Sequence, residues 1–160
     1  MRKVFFTPGP TGLYYTVDHH IKEALRTGVA SISHRSKDFV KICQEADENL
    51  RELLQLPDDY AVVFTSSATE VWEKLSDSLI NDRSLHIVNG AFSKKFYDVA
   101  NNLGKNVDII ESEWGDLPEL PPESPNKYSL IAATHNETST GVTTPLSTIY
   151  SLKDAYPEAT

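Results

Sequence analysis

The sequence predicts an α/β fold with a mostly parallel sheet and helices on both of its faces. Short apolar runs typical of buried strands alternate with longer segments of helical periodicity. Such alternation needs crossover connections, which make the strands parallel and lay the helices on the sheet. Turns with polar or aromatic residues follow three predicted strands, and ligands bind at the carboxyl ends of strands in such sheets.

The composition is that of a globular protein with one sizeable core. The chain has 160 residues, of which 39% are hydrophobic and 24% charged. A net charge of −8 gives no overall basic surface for nucleic acid, and no apolar run approaches a membrane span. Cys43 is the only cysteine, so a reducing compartment is expected, and we predict a cytoplasmic protein without nucleic-acid or membrane partners.

Residues 1–58 are predicted to form an N-terminal arm and a helical segment. Two prolines and two glycines, Gly9 among them, make residues 7–12 a shaped loop. This loop is either a terminal arm or backbone that lies close to a ligand. A short helix over residues 16–26 ends at Gly28. It contains adjacent histidines without other metal ligands at suitable spacing, so no metal site is predicted.

A long amphipathic helix is predicted to begin after Ser36, a plausible N-cap, and to run to Leu54. Cys43 lies on its apolar stripe, which indicates a buried small hydrophobe rather than a nucleophile. His34 and Arg35 precede the helix. An arginine fork beside an imidazole suits a carboxylate or phosphate, although a plain surface arginine is about as well supported.

Residues 59–160 are predicted to begin the α/β domain, and their first strand and helix form a candidate anion site. Residues 60–64 resemble a strand covered on both faces. Ser67 and Glu70 have the spacing of a capping box, which opens a helix. The backbone N–H groups of Ser67, Ala68 and Thr69 would then point at one place, where a phosphate can bind. An ordinary N-cap is the alternative.

Further strands and helices alternate along the rest of the chain. Phe92 follows the second strand, where its ring is either core or a plate for a planar ligand. The acidic stretch over residues 111–127 holds four prolines and is predicted to be an irregular loop. The predicted strands are 84–89, 107–110 and 128–133, and the predicted helices are 69–80, a segment after Phe92 to about Leu103, and 147–155.

Three predicted strand ends together offer the groups that a flat, phosphorylated cofactor needs. The turn at Ser67, Ala68 and Thr69 supplies an anion cup. Phe92 supplies an aromatic plate, and the turn at residues 136–138 supplies hydrogen-bonding side chains.

Five motifs, in order along nearly the whole chain, resemble those of the class V aminotransferases, which are pyridoxal-phosphate enzymes of fold type I. They are PGP, SHRS, LLQLPDDYAVVFTSSATE, NGAFSKKF and HNETSTGV. Within the family the chain is most similar to the phosphoserine aminotransferases, and the alanine–glyoxylate and serine–pyruvate branch is second. The resemblance implies the large cofactor-binding domain of a cytoplasmic homodimer that acts on an amino acid and a 2-oxo acid.

The resemblance also implies roles for individual residues. Backbone groups of Ser67, Ala68 and Thr69 would hold the cofactor phosphate. Phe92 would stack on the pyridine ring, and Thr138 would bond near its phenolic oxygen. The substrate residues are then Gly9 in the N-terminal loop and the pair His34 and Arg35, which would bind the distal acidic group across a dimer interface.

Two departures from the family pattern qualify these expectations. Ser66, Ser67 and Ala68 replace the glycine-rich cup of typical phosphoserine enzymes, which leaves the branch open. The aspartate for the pyridine nitrogen and the Schiff-base lysine have no counterpart before Thr160. We therefore expect no catalytic residue in this chain, which would be inactive alone as the first portion of a longer protein.

The main hypothesis is phosphoserine:2-oxoglutarate transamination in serine biosynthesis, with alanine–glyoxylate or serine–pyruvate transamination as the alternative. A non-catalytic phosphate- or nucleotide-binding α/β module is a hypothesis of a different class. The chain has neither a P-loop ending nor a G-x-G-x-x-G motif, which argues against that module.

Overall fold

A computed structural model of the chain describes residues 4, 9–10, 12–120 and 127–160. The chain divides into two compact units, Met1–Phe64 and Thr65–Thr160. Parts of two predicted loops, residues 5–8 with 11 and residues 121–126, lie outside the described residues. Within the described ranges, every helix is too short or too polar to cross a membrane.

The first unit is helical, as predicted, and its helices end where the sequence indicates. Helix α1 (Val17–Thr27) stops at Gly28, whose φ of 74° lies in the left-handed region that favours glycine. Helix α2 (Lys37–Leu54) begins at Ser36, whose Oγ accepts from the N–H of Phe39 at 3.1 Å. A short 3-10 turn, Val29–Ser31, lies between the two helices.

The strand predicted over residues 60–64 is wrong. This segment is assigned no strand, and the backbone of residues 61–65 makes no hydrogen bond to another described residue. Val63 and Phe64 are 74% and 67% exposed. The β-branched composition of this segment is strand-like, but a strand forms only when its backbone groups pair with a neighbouring strand.

The second unit contains the predicted parallel sheet, with strand order β2-β1-β3. Strand β1 (Ser84–Val88) pairs in parallel with β2 (Val107–Glu111) on one side and with β3 (Leu130–Ala132) on the other. Every residue of β1 is buried. Burial on both faces is expected for the central strand of a parallel sheet whose faces are covered by helices.

Helices cover both faces of this sheet. Helix α3 (Ala68–Leu79) and helix α4 (Ala91–Asn102) pack on one face, where Ile80 and Ala100 join Leu130 in an apolar cluster. Helix α5 (Leu146–Ala155) covers the other face, where Leu152 packs with Leu85 and Ile87. Alternate side chains of β1 thus serve opposite layers.

The segment between β3 and α5, where a turn at residues 136–138 was predicted, is a small hairpin. Strand β4 (Asn136–Glu137) pairs antiparallel with β5 (Val142–Thr143). After α5 the chain returns to the sheet, since Thr160 donates to the carbonyl of Ser129 and accepts from the N–H of Ile131. These two bonds are the pattern of a parallel bridge opposite Leu130.

His86 is a buried polar residue at the centre of β1. Its ring is 1% exposed and meets the rings of Phe96 and Tyr97 edge-on. Nε2 lies 3.1 Å from Ser84 Oγ, whereas Nδ1 has no partner among the described residues. Burial lowers the pKa of His86 to about 4, because the charged imidazolium cannot be hydrated there.

This burial predicts an acid-sensitive fold. Protonation of His86 is easier in the unfolded chain, so the free energy of unfolding should fall as pH drops from about 6.5 to about 4, by roughly 3 kcal/mol at most. Urea unfolding of the full-length protein at several pH values measures this slope. His86→Leu should flatten it, and the exposed His19→Leu should not; equal slopes in both variants would contradict the assignment.

Candidate cofactor-binding site

The start of α3 is a helix N-terminus with free backbone donors, as the sequence predicted. Ser67 Oγ accepts from the N–H of Glu70 at 3.2 Å and caps the helix. The N–H groups of Ser67, Ala68 and Thr69 have no acceptor among the described residues. Three unpaired donors at the positive end of a helix dipole favour a bound anion.

The carboxylate of Glu70 binds the backbone N–H group just before these three donors, that of Ser66. Its carboxylate accepts from the N–H and the hydroxyl of Ser66, at 2.8 and 2.7 Å, and pairs with Lys74 at 3.2 Å. The hydroxyl and N–H of Ser66, followed by Lys74, lower the pKa of Glu70 to about 2. The carboxylate therefore stays ionised and partnered, and the next three N–H groups remain open.

The starts of α3 and α4 lie at the same level of the fold. Trp72, one turn into α3, stacks on Phe96, just over one turn into α4, with ring centroids 5.5 Å apart and planes 13° apart. The end of α3 bonds to Lys105 and Ser129, which precede β2 and β3, and α4 begins just after β1. The first turns of both helices therefore lie toward the carboxyl edge of the sheet. Phe92 stands there, 48% exposed and outside both apolar clusters.

The first-turn N–H groups of α4 are hydrogen-bonded to a side chain of the protein itself. Its N-cap is Gly90, which has no side chain to accept from the first turn. Glu137 supplies the acceptor from 45 residues away: its carboxylate accepts from the N–H groups of Phe92 and Ser93, at 3.4 and 2.8 Å. Glu137 is fully buried.

Thr138 and Ser139 lie next to this carboxylate in the β4–β5 hairpin. Ser139 Oγ donates to Glu137 at 2.6 Å and accepts from the N–H of Ala91 at 2.9 Å. The side chain of Thr138 is exposed, and its hydroxyl has no partner among the described residues. The structure therefore brings Thr138 to the turn that carries Phe92.

The predicted substrate residues belong to the first unit. Both His34 and Arg35 are exposed, and the guanidinium of Arg35 pairs with no described side chain. The N–H of Arg35 is held by Ser33 Oγ at 3.2 Å. Gly9 is exposed as well. The roles of Gly9, His34 and Arg35 in substrate binding therefore stay predictions.

Cys43 is half-buried rather than buried, which corrects the prediction. It lines an open groove of about 400 Å³ together with His34 and the apolar side of α2. The periodicity correctly places Cys43 on the apolar stripe, but none of the elements described in this unit covers that stripe fully.

The part played by Glu137 differs from the prediction, in which the turn at residues 136–138 only supplies hydrogen-bonding side chains. A signal was present: a glycine at the N-cap of a predicted helix leaves first-turn N–H groups without a local acceptor. Such a helix needs an acceptor from elsewhere in the fold. What the sequence did not show is which residue supplies it.

The chain belongs to the class V aminotransferase family. The model of that family, described as aminotransferase class-V, matches residues 4–157. The resemblance inferred from the five motifs is thereby confirmed, and so is the α/β fold type.

Curated relatives come from two branches of the family. A phosphoserine aminotransferase of Rhodococcus opacus is 37% identical over 125 residues, which are 76% of this chain and 33% of the relative. A serine–glyoxylate aminotransferase of Methylorubrum extorquens is 31% identical over 163 residues, covering 96% of this chain and 39% of the relative. The chain thus spans between a third and two fifths of the length of these relatives.

Among solved structures, a phosphoserine aminotransferase from Cytophaga hutchinsonii matches with a TM-score of 0.87 and 41% identity. The match covers 98% of this chain and 44% of that one. A ureidoglycine–glyoxylate aminotransferase from Bacillus subtilis matches at 26% identity, with a TM-score of 0.66 and 96% of this chain covered.

The packing around Gly90 predicts that any side chain there disrupts the start of α4. A Cβ would lie 2.5 Å from Glu137 Cγ and 2.7 Å from Ser139 Oγ. The φ of 172° is extended backbone, so the effect is steric. Gly90→Ala should lower the free energy of unfolding of the full-length protein by about 1–3 kcal/mol. Gly12→Ala meets open space and should change it little; equal effects would contradict this packing.

Proposed function

We propose that this chain forms the phosphate- and ring-binding part of a pyridoxal-phosphate-dependent aminotransferase, acting as a cytoplasmic homodimer. One observation carries the proposal. Three unpaired backbone N–H groups at the start of α3 lie level with a half-exposed phenylalanine at the start of α4. A phosphate joined to an aromatic ring needs these two features side by side.

The residues present fit pyridoxal phosphate. The N–H groups of Ser67, Ala68 and Thr69 would hold the phosphate at the positive end of α3. Phe92 would cover one face of the ring, and the free hydroxyl of Thr138 would donate to the phenolic oxygen. When bound, this cofactor supplies the electron sink that amino-group transfer requires.

The residues of this chain are proposed to bind and orient the cofactor and the substrate. None of them is proposed to carry out proton transfer. Lys94 lies nearest to the candidate site in sequence but pairs with Asp98, and that carboxylate raises the pKa of Lys94. A protonated, paired amine is a poor nucleophile. We propose that the reactive lysine and the aspartate for the pyridine nitrogen follow Thr160 in the full-length protein.

The proposed substrates are phosphoserine and 2-oxoglutarate, as in serine biosynthesis. His34 and the unpaired guanidinium of Arg35 would bind the distal acidic group near the homodimer interface, with Gly9 beside the substrate. The relatives and the solved structure named above as phosphoserine aminotransferases support this branch.

Transamination between serine or alanine and glyoxylate is the second candidate. The serine–glyoxylate relative aligns with more of this chain than the phosphoserine relative does, 96% against 76%, although its identity is lower. Ser66, Ser67 and Ala68 also stand where phosphoserine enzymes carry a glycine-rich cup. Steady-state assays with both donor and acceptor pairs distinguish the two branches.

Reductive trapping tests the proposed function. Borohydride treatment of the full-length protein with pyridoxal phosphate should fix the cofactor on a single lysine, and peptide mapping should place it after Thr160. Protein treated without borohydride is the control. Absence of any trapped cofactor would refute the proposed function, and a label on Lys94 or Lys95 would refute the assignment of the reactive lysine.

Arg35→Ala should weaken substrate binding more than cofactor binding. Loss of a charged partner for a substrate carboxylate or phosphate typically costs about 1.5–3 kcal/mol, so we expect KM for the donor to rise roughly tenfold or more. Affinity for pyridoxal phosphate should change less than twofold. The matched control is Arg26→Ala on α1, whose guanidinium pairs with Glu23 within the described part of the chain. Equal changes in both affinities would contradict the assignment.

A further inference from the structure

Glu137 is a fully buried carboxylate that no described Lys, Arg or His side chain neutralises. It is instead surrounded by donors from two separate parts of the chain. Oε2 accepts from the N–H and the hydroxyl of Ser93, at 2.8 and 2.9 Å. Oε1 accepts from the N–H of Phe92 at 3.4 Å, and from the N–H and the hydroxyl of Ser139 at 3.2 and 2.6 Å.

The start of α4 stabilises this charge. Burial alone pushes the pKa of Glu137 up, but the hydrogen bonds from Ser139 and Ser93 outweigh it, and the pKa lies below its usual range. The positive end of the α4 dipole favours the same ionised form. Glu137 therefore acts as a remote N-cap for a helix whose own N-cap residue is Gly90.

Three further hydrogen bonds strengthen this connection. Ser139 Oγ accepts from the N–H of Ala91 at 2.9 Å, so hairpin and helix bond in both directions. Ser93 Oγ also accepts from the N–H groups of Asn89 and Gly90, each at 3.1 Å. The backbone leaving β1 is thus held by the same serine that donates to Glu137.

The positions of the flanking residues give this connection a function. Phe92, whose N–H it binds, carries the candidate ring-stacking side chain. Thr138 lies between Glu137 and Ser139, so both its neighbours are fixed to α4. We propose that Glu137 is a positioning residue, which sets the distance between Phe92 and Thr138 and thereby the fit of the cofactor ring. This inference rests on the proposed function.

Glu137→Gln tests the inference without changing the shape of the side chain. Both carboxylate oxygens accept from a backbone N–H, so either orientation of the amide turns its NH₂ group toward a donor. The hairpin and the first turn of α4 should then move apart. Ile80→Val is the control, because it trims a core side chain that is 3% exposed and has no polar contact.

The full-length protein, stripped of cofactor, is titrated with pyridoxal phosphate and followed by equilibrium dialysis and by circular dichroism of the bound cofactor. Glu137→Gln should bind at least tenfold more weakly and change the dichroism band, which reports the surroundings of the ring. Ile80→Val should lower the melting temperature but keep affinity within twofold and leave the band unchanged. Ser139→Ala, a milder variant that removes one bond to Glu137, should shift both readouts in the same direction.

The outcomes separate this inference from the proposed function. If the wild-type protein shows no saturable binding, the proposed function fails and the inference falls with it. If the wild type binds and both variants match Ile80→Val in affinity and dichroism, Glu137 is only structural and the inference alone is overturned. If Glu137→Gln does not fold, Ser139→Ala decides by the same two readouts.

Discussion

The pairing of β1 on both of its edges fixes the position of Phe92, the candidate ring-stacking residue of the second unit. The strand is buried along its whole length and lies in register with β2 and β3. Leu85 and Ile87 face α5, and His86 faces α4. A slip of β1 by one residue would turn Leu85 and Ile87 toward α4 and His86 toward α5. The register is therefore strongly specified. Because Gly90 and Phe92 follow β1 directly, their place at the sheet edge follows from that register.

Local patterns predicted most of the elements because each depends on residues close in sequence. The caps at Ser36 and Ser67 satisfy N–H groups three residues away, and the left-handed Gly28 ends α1. These interactions are encoded within one turn of helix. The helix of the candidate anion site could therefore be placed within a residue of its observed start at Ala68.

Other features depend on distant partners and could not be predicted in this way. Residues 60–64 have strand composition but no described partner strand. The β4–β5 hairpin has two residues in each strand, too few to show a period of two. The bonds of Glu137 to Phe92 and Ser93 span 45 and 44 residues, and no local pattern records them. Part of the candidate cofactor site is therefore organised by tertiary contacts alone.

The two helix starts at this edge of the sheet differ in their unpaired backbone donors, and the difference supports α3 as the proposed anion site. At α4, Glu137 already occupies the positive end and accepts the N–H groups of Phe92 and Ser93, so a phosphate there would meet a buried negative charge. At α3, Glu70 turns back to Ser66 and is paired with Lys74, which leaves the following N–H groups open. An incoming phosphate would thus be excluded from the start of α4 and accepted at the start of α3. In the proposed function, the ring attached to that phosphate would extend toward Phe92, whose helix is held in place by the carboxylate of Glu137.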